Sequence, residues 1–463
     1  MNAILEKYDV DFLIVSSNKL SLTECRIDPQ FFSANQSFID GLETKPLSDF
    51  CLEIFNPAVF KREFLEDENE CRYLASAEIV LLEPQITYIT NEQANRLNLR
   101  VKKKWILVTG FGTVGSIRIV DEIINDYAVA NNVARVVAKK DYEGFIAAYL
   151  ESKFGNKLLN DYAAGAVVKY IEAPQISKIP VPVLDRGIIR SINDLYLKAV
   201  TCREQSFSYL QEANLLVSKF NKLPTISEKD FESMDKSKES QIRLTNISEF
   251  TTDFRLDAHF YNPIAKAVLD NLKKYPERIL PLSELTTQII LGKRFKRNYV
   301  ESEFGTPFLS GKNIIQIKPF EINHLSDTEI DFIDELLVKK NWTLITCSGT
   351  LGRTCFVHNN YEDYAASQHI LRVVPNEELI DAGYLYCFLS SDFGFHQLLR
   401  YRYGSVIDEI DDKNIANVLI PLPSGKQQKQ IGDLVRQAYD LRAEAIRLED
   451  EAQTLLTQAL TKE

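Results

Sequence analysis

The 463-residue chain lacks the short motifs that mark most metal and nucleotide sites. Its seven cysteines include no CxxC pair, and its five histidines show no HExxH spacing, so no metal site is predicted. It has no GxxxxGK[ST] phosphate loop, no GxSxG nucleophile turn and no Asn/Asp-Pro-Pro-aromatic motif of an amino-methyltransferase. We therefore predict a protein that is not an enzyme and that has no cofactor of its own.

The chain also lacks an excess of positive charge and any long uncharged apolar run. Its net charge is -11, which excludes a histone-like binder but leaves room for local basic patches on a site-specific DNA reader. No apolar run reaches membrane-spanning length, and the start MNAILEKYDVDF does not resemble a secretory signal. Together with an odd number of cysteines, these features predict a cytoplasmic protein with reduced thiols and no membrane association.

A glycine-rich stretch at residues 105–115 (WILVTGFGTVG) matches the pattern of a dinucleotide-binding turn. A second version at residues 342–352 (WTLITCSGTLG) has Cys347 where the first glycine is expected. A strand-like run follows each stretch, where a dinucleotide site would need the start of a helix, so a β-hairpin is favoured. An NAD(P)-dependent oxidoreductase is kept as a minor alternative.

The second half of the chain repeats the first half in order. Residues 60–66 (FKREFLE) return as FKRNYVE 235 residues later, and the glycine-rich stretch returns 237 residues later. Residues 26–32 (RIDPQFF) return as RLDAHFY, and the Pro-x-Pro at 180–182 is matched to the Pro-x-Pro at 421–423. So many ordered blocks predict an internal duplication.

Within each copy, short runs such as residues 79–82 and 309–311 predict strands and turns, and patches at 144–154 and 382–391 predict helices. A long helix is predicted after each Pro-x-Pro. We predict an α+β fold with two similar mixed α/β domains, separated by two long helices that form an antiparallel coiled coil with pseudo-two-fold symmetry. The predicted bounds are 1–183 and 241–423 for the domains, 184–222 and 424–463 for the helices, and 223–240 for a polar linker.

Apolar residues spaced alternately by three and four define a seam on each long helix. The predicted seam residues are Ile192, Leu195, Ala199, Tyr209, Ala213 and Leu216 in the first helix, and Ile431, Leu434, Ala438, Leu441, Ala445, Leu448, Ala452 and Leu455 in the second. Two matching seams predict that the helices pack on each other, and a pseudo-two-fold axis would make them antiparallel. The alternative is that each helix packs only on its own domain.

Basic residues interleaved with aromatic residues are the candidate nucleic-acid contacts, because arginine and lysine bind phosphates and arginine also binds guanine. The main runs are residues 292–299 (GKRFKRNY) and 400–403 (RYRY). An ordinary solvated surface is the alternative for any single residue. The predicted DNA-binding residues are Lys61, Arg62, Lys102, Lys103, Lys293, Arg294, Lys296, Arg297, Arg353, Arg400, Tyr401 and Arg402.

The whole chain resembles the DNA specificity subunit of type I restriction-modification systems. The resemblance is carried by the RxDxxF-aromatic segments at Arg26 and Arg255, the turn at 348–352 (SGTLG), residues 367–369 (SQH), and residues 427–431 (QQKQI), which open the second long helix. The first copy departs from this pattern, because residues 130–132 (ANN) replace SQH.

This resemblance implies that residues 1–183 and 241–423 are target recognition domains, each reading one half of a bipartite site in double-stranded DNA. It implies that the long helices act as a ruler between them. It also implies two methyltransferase (modification) subunits, which methylate adenine with S-adenosylmethionine, and restriction subunits that cleave DNA with ATP. The alternative in the binding class is a duplicated DNA-binding module of another defence or modification complex.

Overall fold

The chain folds into two compact units in the computed structural model. The first comprises Met1–Val80, Pro84–Thr201 and Ala445–Glu463, and the second comprises Leu81–Glu83 and Cys202–Glu444. The structure describes residues 41–65, 67–82, 84–165, 168–224, 255, 257, 259–274, 278–320, 322–330 and 332–461. The repeat segment predicted at 26–32 and residues 225–240 of the predicted linker lie outside these ranges.

Short segments rich in β-branched residues form the strands of the first unit. They are β1 (Thr44–Pro46), β2 (Cys51–Phe55), β3 (Cys71–Leu74), β4 (Thr87–Ile89), β5 (Ile106–Thr109), β6 (Ile117–Ile119), β7 (Ala128–Val129), β8 (Val133–Ala138) and β9 (Pro180–Pro182). One antiparallel sheet has the order β2-β8-β5-β6, a smaller sheet has the order β4-β3-β7, and β1 pairs with β9. Ile106 and Val108 pack in one apolar cluster and Leu107 in another, as the period of two along a strand requires. Both faces of the larger sheet are therefore covered.

The first unit contains the helices α1 (Asn91–Arg96), α2 (Glu143–Glu151), α3 (Lys153–Tyr162), α4 (Ala173–Ile176) and the first part of α5 (Arg186–Phe220). Helix α2 is buried along its whole apolar run, so it forms the centre of this unit's larger core. Ser152 separates α2 from α3, because its hydroxyl accepts a hydrogen bond of 3.0 Å from the Gly155 amide and caps α3. The helix predicted at 144–154 is confirmed as this pair.

The second unit contains the strands β10 (Ile279–Pro281), β11 (Thr286–Leu291), β12 (Tyr299–Val300), β13 (Gly305–Leu309), β14 (Asn323–Ser326), β15 (Thr343–Ser348), β16 (Thr350–Phe356), β17 (Ala365–Ala366), β18 (Ile370–Pro375) and β19 (Leu419–Pro421). Its larger sheet has the order β11-β18-β15-β16, its smaller sheet has the order β12-β14-β13-β17, and β10 pairs with β19. Leu344 pairs with Arg372 in the larger sheet, in the register in which Leu107 pairs with Arg135 in the first unit.

The helices of the second unit are the second part of α5 (from Cys202), α6 (Pro263–Lys273), α7 (Gly311–Ile314), α8 (Ile333–Leu336), α9 (Ala382–Ser390), α10 (Asp392–Arg400), α11 (Asp412–Ile415) and the first part of α12 (Gly425–Thr461). Asp381 caps α9 by accepting hydrogen bonds from the Gly383 and Tyr384 amides at 2.9 and 3.1 Å. The same carboxylate binds the Arg436 guanidinium of α12 at 3.1 Å, so a single side chain ties the long helix to α9. The helix predicted at 382–391 is confirmed.

Both predicted long helices are present, α5 with 35 residues and α12 with 37. Buried seam residues are Ile192, Ala199, Ala213, Ile431, Ala438, Ala445, Leu448 and Ala452; half-buried ones are Leu195, Tyr209, Leu216, Leu434, Leu441 and Leu455. The buried stripe is wider than the predicted seam, because Tyr196, Leu210, Val435 and Leu456, each next to a half-buried position, are also buried. Within the described ranges, no helix combines the length and apolarity needed to cross a bilayer.

The chain is a mixed α/β protein, as predicted, and two details of the sequence interpretation are corrected. The strand predicted at residues 79–82 is wrong: Ser76–Val80 is a 3-10 helix in which Ile79 is buried and its carbonyl accepts a hydrogen bond of 2.9 Å from Arg118. The matching of Pro180 to Pro421 is also wrong. Pro182 and Pro421 are the topological equivalents, because they end the strands that pair with β1 and β10.

Candidate nucleic-acid interface

A hairpin turn at the end of the larger sheet organises the candidate site of the second unit. Strands β15 and β16 are joined around Gly349, whose φ of 73° lies in the left-handed region. The turn is held by the loop at residues 403–409, since the Gly349 amide donates to the Asp408 carbonyl at 3.0 Å and the Ile410 amide donates to the Cys347 carbonyl at 3.1 Å. The turn and the loop therefore form one surface, which we name the second turn surface.

The loop at residues 403–409 is closed by backbone hydrogen bonds between Tyr403 and Glu409 of 2.9 and 2.7 Å. Gly404 has a φ of 122°, and a Cβ there would lie 2.1 Å from the Ile407 carbonyl oxygen, so the loop requires glycine. Val406 is 95% exposed at its tip. The loop thus has a hydrogen-bonded backbone and an exposed apolar tip.

Glu409 is the acidic centre of the second turn surface. Its carboxylate lies 3.4 Å from the Ser348 hydroxyl and 3.7 Å from the Arg294 guanidinium. The Arg294 side chain is 80% exposed, so the pair lies at the surface and adds little to stability. Both side chains are accessible, so each could bind a polar ligand in place of the other.

Arg297 lies on the inner side of the same basic run and is half-buried. It donates a hydrogen bond of 2.9 Å to the Gln368 side chain, and its Cζ lies 5.2 Å from the centre of the Phe308 ring. Gln368 in turn contacts His369 at 3.0 Å. Burial, with help from the nearby Arg297 charge, lowers the pKa of His369, so this imidazole is neutral at pH 7. The basic run and the residues before β18 therefore meet beside the turn.

An aromatic trio anchors the basic run in each unit. In the second unit, Phe295 and Tyr299 pack against Phe308 with ring centroids 6.3 Å apart in both contacts. In the first unit, the members of the trio are Phe60, Phe64 and Tyr73, with centroid distances of 6.4 and 5.6 Å to Tyr73. Phe64 and Tyr299 are exposed in both cases, next to Lys61 and Arg62 or Lys296 and Arg297. The predicted basic runs are thus held on equivalent aromatic supports.

The hairpin turn of the first unit, with the neighbouring residues 164, 165 and 168–170, carries different side chains, and we name it the first turn surface. Phe111 stacks on Tyr170 with ring centroids 5.5 Å apart and an interplanar angle of 15°. The Gly110 amide donates to the Asn132 carbonyl, and the Ile171 amide donates to the Gly110 carbonyl, each at 2.9 Å. An aromatic pair therefore occupies the place where the second turn surface has a serine and a glutamate.

Several predicted DNA-binding residues lie away from the turn surfaces or serve packing. Lys102 and Lys103 precede β5 at the opposite end of the strand from the turn, and Lys103 pairs with Glu122 at 2.6 Å. Arg400 lies over the Phe260 ring at 3.8 Å, and Arg353 lies 5.4 Å from the Phe395 ring. These contacts tie Lys103, Arg353 and Arg400 to local structure.

Tyr401 and Arg402 are likewise tied into the fold. Tyr401 is only 6% exposed and belongs to the apolar core of the second unit, so we do not retain it as a DNA contact. Arg402 contacts His259 and lies 4.0 Å from the Asp408 carboxylate. From the predicted set, the structure brings Arg294, Arg297 and Arg402 to the second turn surface, and Lys293 and Lys296 are exposed on the same run as the first two.

The glycine-rich stretches do not have the geometry of a dinucleotide site. Each turn leads into a strand, β6 or β16, as the hairpin interpretation predicts, and no helix begins there to receive a pyrophosphate. Burial raises the pKa of Cys347 to about 12, so its thiol stays protonated and serves packing. In the part of the chain that the structure describes, no group of three or more His, Cys, Asp and Glu side chains is placed to hold a metal ion.

Sequence reasoning missed the pairs Phe111–Tyr170 and Ser348–Glu409, since their members are 59 and 61 residues apart in the chain. No basic or catalytic motif marks them. The only signal in the sequence is positional, because Tyr170 and Glu409 follow the glycines of the repeated Gly-x-Val blocks at 165–167 and 404–406.

A comparison with known families finds a match that lies mainly in the second unit. Residues 282–451 match the sequence model of the type I restriction modification DNA specificity domain. These residues are similar to such a domain, and the predicted resemblance to specificity subunits is confirmed. The matched range contains the aromatic-anchored basic run and the second turn surface described above.

Solved structures of similar proteins extend over the length of the chain. The S subunit of the type I restriction-modification system from M. genitalium is 13% identical, covers 91% of this chain and 96% of its own, and has a TM-score of 0.35. The HsdS subunit from Thermoanaerobacter tengcongensis is 15% identical, covers 91% and 97%, and has a TM-score of 0.29. A chain from a study of complex assembly and conformational transition of the type I R-M system is 14% identical, covers 91% and 97%, and has a TM-score of 0.28.

Proposed function

We propose that this chain is the sequence-specificity subunit of a type I restriction-modification complex, and that each unit reads one half of a bipartite site in double-stranded DNA. The observation that carries the proposal is the second turn surface, where exposed Arg294 and half-buried Arg297 flank a hairpin turn inside the matched DNA specificity domain. Arginines at a protruding turn suit both phosphate contacts and reading of guanine in the major groove.

Two recognition units follow from an internal duplication of the chain. The strand orders β2-β8-β5-β6 and β11-β18-β15-β16 are the same in topological terms, and β1-β9 corresponds to β10-β19. The offsets between equivalent elements, from 235 to 239 residues, agree with those of the sequence repeat. These correspondences support a second DNA-reading surface in the first unit, although the family match at residues 282–451 lies mainly in the second unit.

The long helices serve as an antiparallel ruler in this proposal. In the first unit, Ile192 near the start of α5 belongs to the same apolar cluster as Ala452 and Leu456 near the end of α12. In the second unit, Ala213 near the end of α5 shares a cluster with Ile431 near the start of α12. This opposite pairing supports antiparallel helices. A helix of 35 residues is about 50 Å long, which exceeds one turn of DNA of about 34–36 Å.

The chemistry belongs to partner subunits. Two methyltransferase subunits would bind the chain and methylate an adenine in each half-site, and restriction subunits would cleave DNA in the full complex. The complex would act in the cytoplasm, where its DNA substrate lies. Co-purification of an adenine methyltransferase subunit with the chain distinguishes this function from that of a DNA-binding module in another defence complex.

Selection of bound duplexes from a pool of random sequence tests the DNA-reading function. The full chain is expected to enrich two short motifs separated by a gap of fixed length, because the proposed ruler would set the distance between two similar reading surfaces. Enrichment of a single motif would contradict the bipartite site. A pool that stays random at physiological salt would contradict sequence recognition altogether.

A further inference from the structure

We infer that the pairs Phe111–Tyr170 and Ser348–Glu409 are the specificity-determining contacts of the two turn surfaces, and that they select different base pairs. The first selects a T·A pair and the second selects a C·G pair. The inference rests on the proposed function, since it names what each unit reads.

The two pairs occupy the same backbone positions. Phe111 forms a β-bridge with Tyr170, which also bridges Ala164 across its loop. Ser348 forms a β-bridge with Glu409, which also bridges Tyr403 across its loop. A glycine follows each turn residue, and both glycines have a positive φ, 76° and 73°. The same backbone positions therefore hold an aromatic pair in the first unit and a polar pair in the second.

The glycines beside the pairs are also similar. Gly165 and Gly404 both have a positive φ, and a Cβ on either would lie about as close to a loop carbonyl oxygen, 2.2 and 2.1 Å. The two pairs thus lie beside glycines of matching backbone conformation. A difference in what they bind must then come from the side chains.

The stacked geometry of the aromatic pair favours contact with an apolar group over insertion between bases. Phe111 is 38% exposed, but Tyr170 covers one face of its ring. Insertion between two bases would require both faces of the ring to be free. Exposed Val168 adds apolar surface in the neighbouring loop. The C5 methyl group of thymine is the apolar group that a base pair presents in the major groove, and phenylalanine is a known partner for it. The first turn surface accordingly selects T·A.

The polar pair offers a hydrogen-bond acceptor and a donor, which suit a C·G pair. Glu409 is partly exposed and is directed by Ser348 at 3.4 Å. A carboxylate accepts a hydrogen bond from the N4 amino group of cytosine, and an arginine donates two to the O6 and N7 atoms of guanine. Arg294, 3.7 Å from Glu409, can supply the second contact to the same base pair. The second turn surface accordingly selects C·G.

Selection from the random duplex pool, repeated with variants of the full chain, tests the inference. Phe111→Ala is expected to lower the preference for T·A by about tenfold at one position of one half-site, whereas Phe111→Leu keeps it because the apolar contact remains. Glu409→Gln is expected to lower the preference for C·G by about tenfold at one position of the other half-site and to favour A·T there, since glutamine pairs with adenine. Leu52→Ala and Glu362→Gln are matched exposed controls with unchanged motifs.

The outcomes separate the two levels of the account. An unchanged second half-site in each variant shows that the chain is folded and binds DNA. If wild type and all variants select the same bipartite motif, the inference is overturned while the proposed function stands. If Phe111→Leu loses the T·A preference as fully as Phe111→Ala, the methyl contact is overturned. If wild type selects no motif, both the proposed function and the inference are contradicted.

Discussion

Arg135 and Arg372 occupy the same register in the larger sheets of the two units, and both guanidinium groups are buried against backbone carbonyl oxygens. Arg135 donates to the Val129 carbonyl of β7 at 2.5 Å, and Arg372 donates to the Ala366 carbonyl of β17 at 2.6 Å. Each arginine therefore joins its larger sheet to the smaller one. Burial lowers the pKa of Arg135 to about 9 and that of Arg372 to about 10, so both are charged at neutral pH.

Removal of either buried guanidinium should weaken its unit. Arg135→Met or Arg372→Met leaves carbonyl oxygens in the core without donors, which is expected to lower the free energy of unfolding by about 2–4 kcal/mol. Urea unfolding of the full chain, followed by circular dichroism, measures the effect. Arg190→Met, at an exposed position of α5, is the matched control with little change expected. Equal midpoints for Arg372→Met and this control would refute a bridging role.

Exposed lysines of the basic run should contribute phosphate contacts. The double variant Lys293→Gln and Lys296→Gln is expected to weaken binding to all sequences alike and to reduce the slope of log K against log salt by about 1.8, at about 0.9 per phosphate. Fluorescence anisotropy with a labelled duplex at several salt concentrations measures this slope.

The matched control lies at the other end of the same sheet. Lys339 and Lys340 precede β15, whose six residues span about 20 Å, and they contact Asp363 and Asn359. Their double glutamine variant should retain the wild-type slope. A control that loses as much slope as the Lys293 and Lys296 variant would show that the contacts are not localised at the turn surface.

The second unit should lose stability in mild acid through His396. Burial lowers the pKa of this imidazole to about 4, from an ordinary value of 6.5. Between these values the unfolded chain binds a proton that the folded chain does not, so the free energy of unfolding falls as the pH is lowered from 6.5 to 4. Wild type should lose on the order of 2 kcal/mol of unfolding free energy between pH 7 and pH 4.5 through this group, and His396→Phe should not. The difference between urea midpoints at the two pH values measures the loss. Parallel losses in wild type and variant would contradict the assignment.

Much of this fold could be predicted from periodicity and repetition. Apolar residues spaced alternately by three and four predict both long helices. The comparison of the stretches that begin at Trp105 and Trp342 predicts the hairpins. The 3-10 helix at Ile79 could not be predicted, because a short apolar run fits a strand equally well.

The candidate site was less accessible to prediction, because its composition depends on distant parts of the chain. Arg294 and Arg297 were identifiable as part of a basic run. Arg400 was also identifiable as part of a basic run. Its guanidinium, however, lies over the ring of Phe260, which is 140 residues away, and no local pattern reveals that contact. Glu409 was missed because an isolated acidic residue carries no signal until the fold brings Ser348 beside it.

The proposed ruler function of the long helices predicts a change in the spacing between half-sites without a change in the half-sites themselves. Insertion of one heptad into each long helix, after Thr201 in α5 and after Glu444 in α12, keeps the helix faces in phase and adds about 10 Å. The gap between half-sites in the duplex selection is expected to grow by about 3 base pairs, at about 3.4 Å per step. An unchanged gap, with both half-sites retained, would contradict the ruler.

The most direct test of the central claim is a genome-wide map of methylated adenines in cells that carry the chain and in cells from which its gene is deleted. Sequence-specific recognition predicts one bipartite motif, methylated in the first strain and unmethylated in the second, and restored when the chain is supplied again. Identical maps in the two strains, in cells that express the modification subunit, would contradict the account.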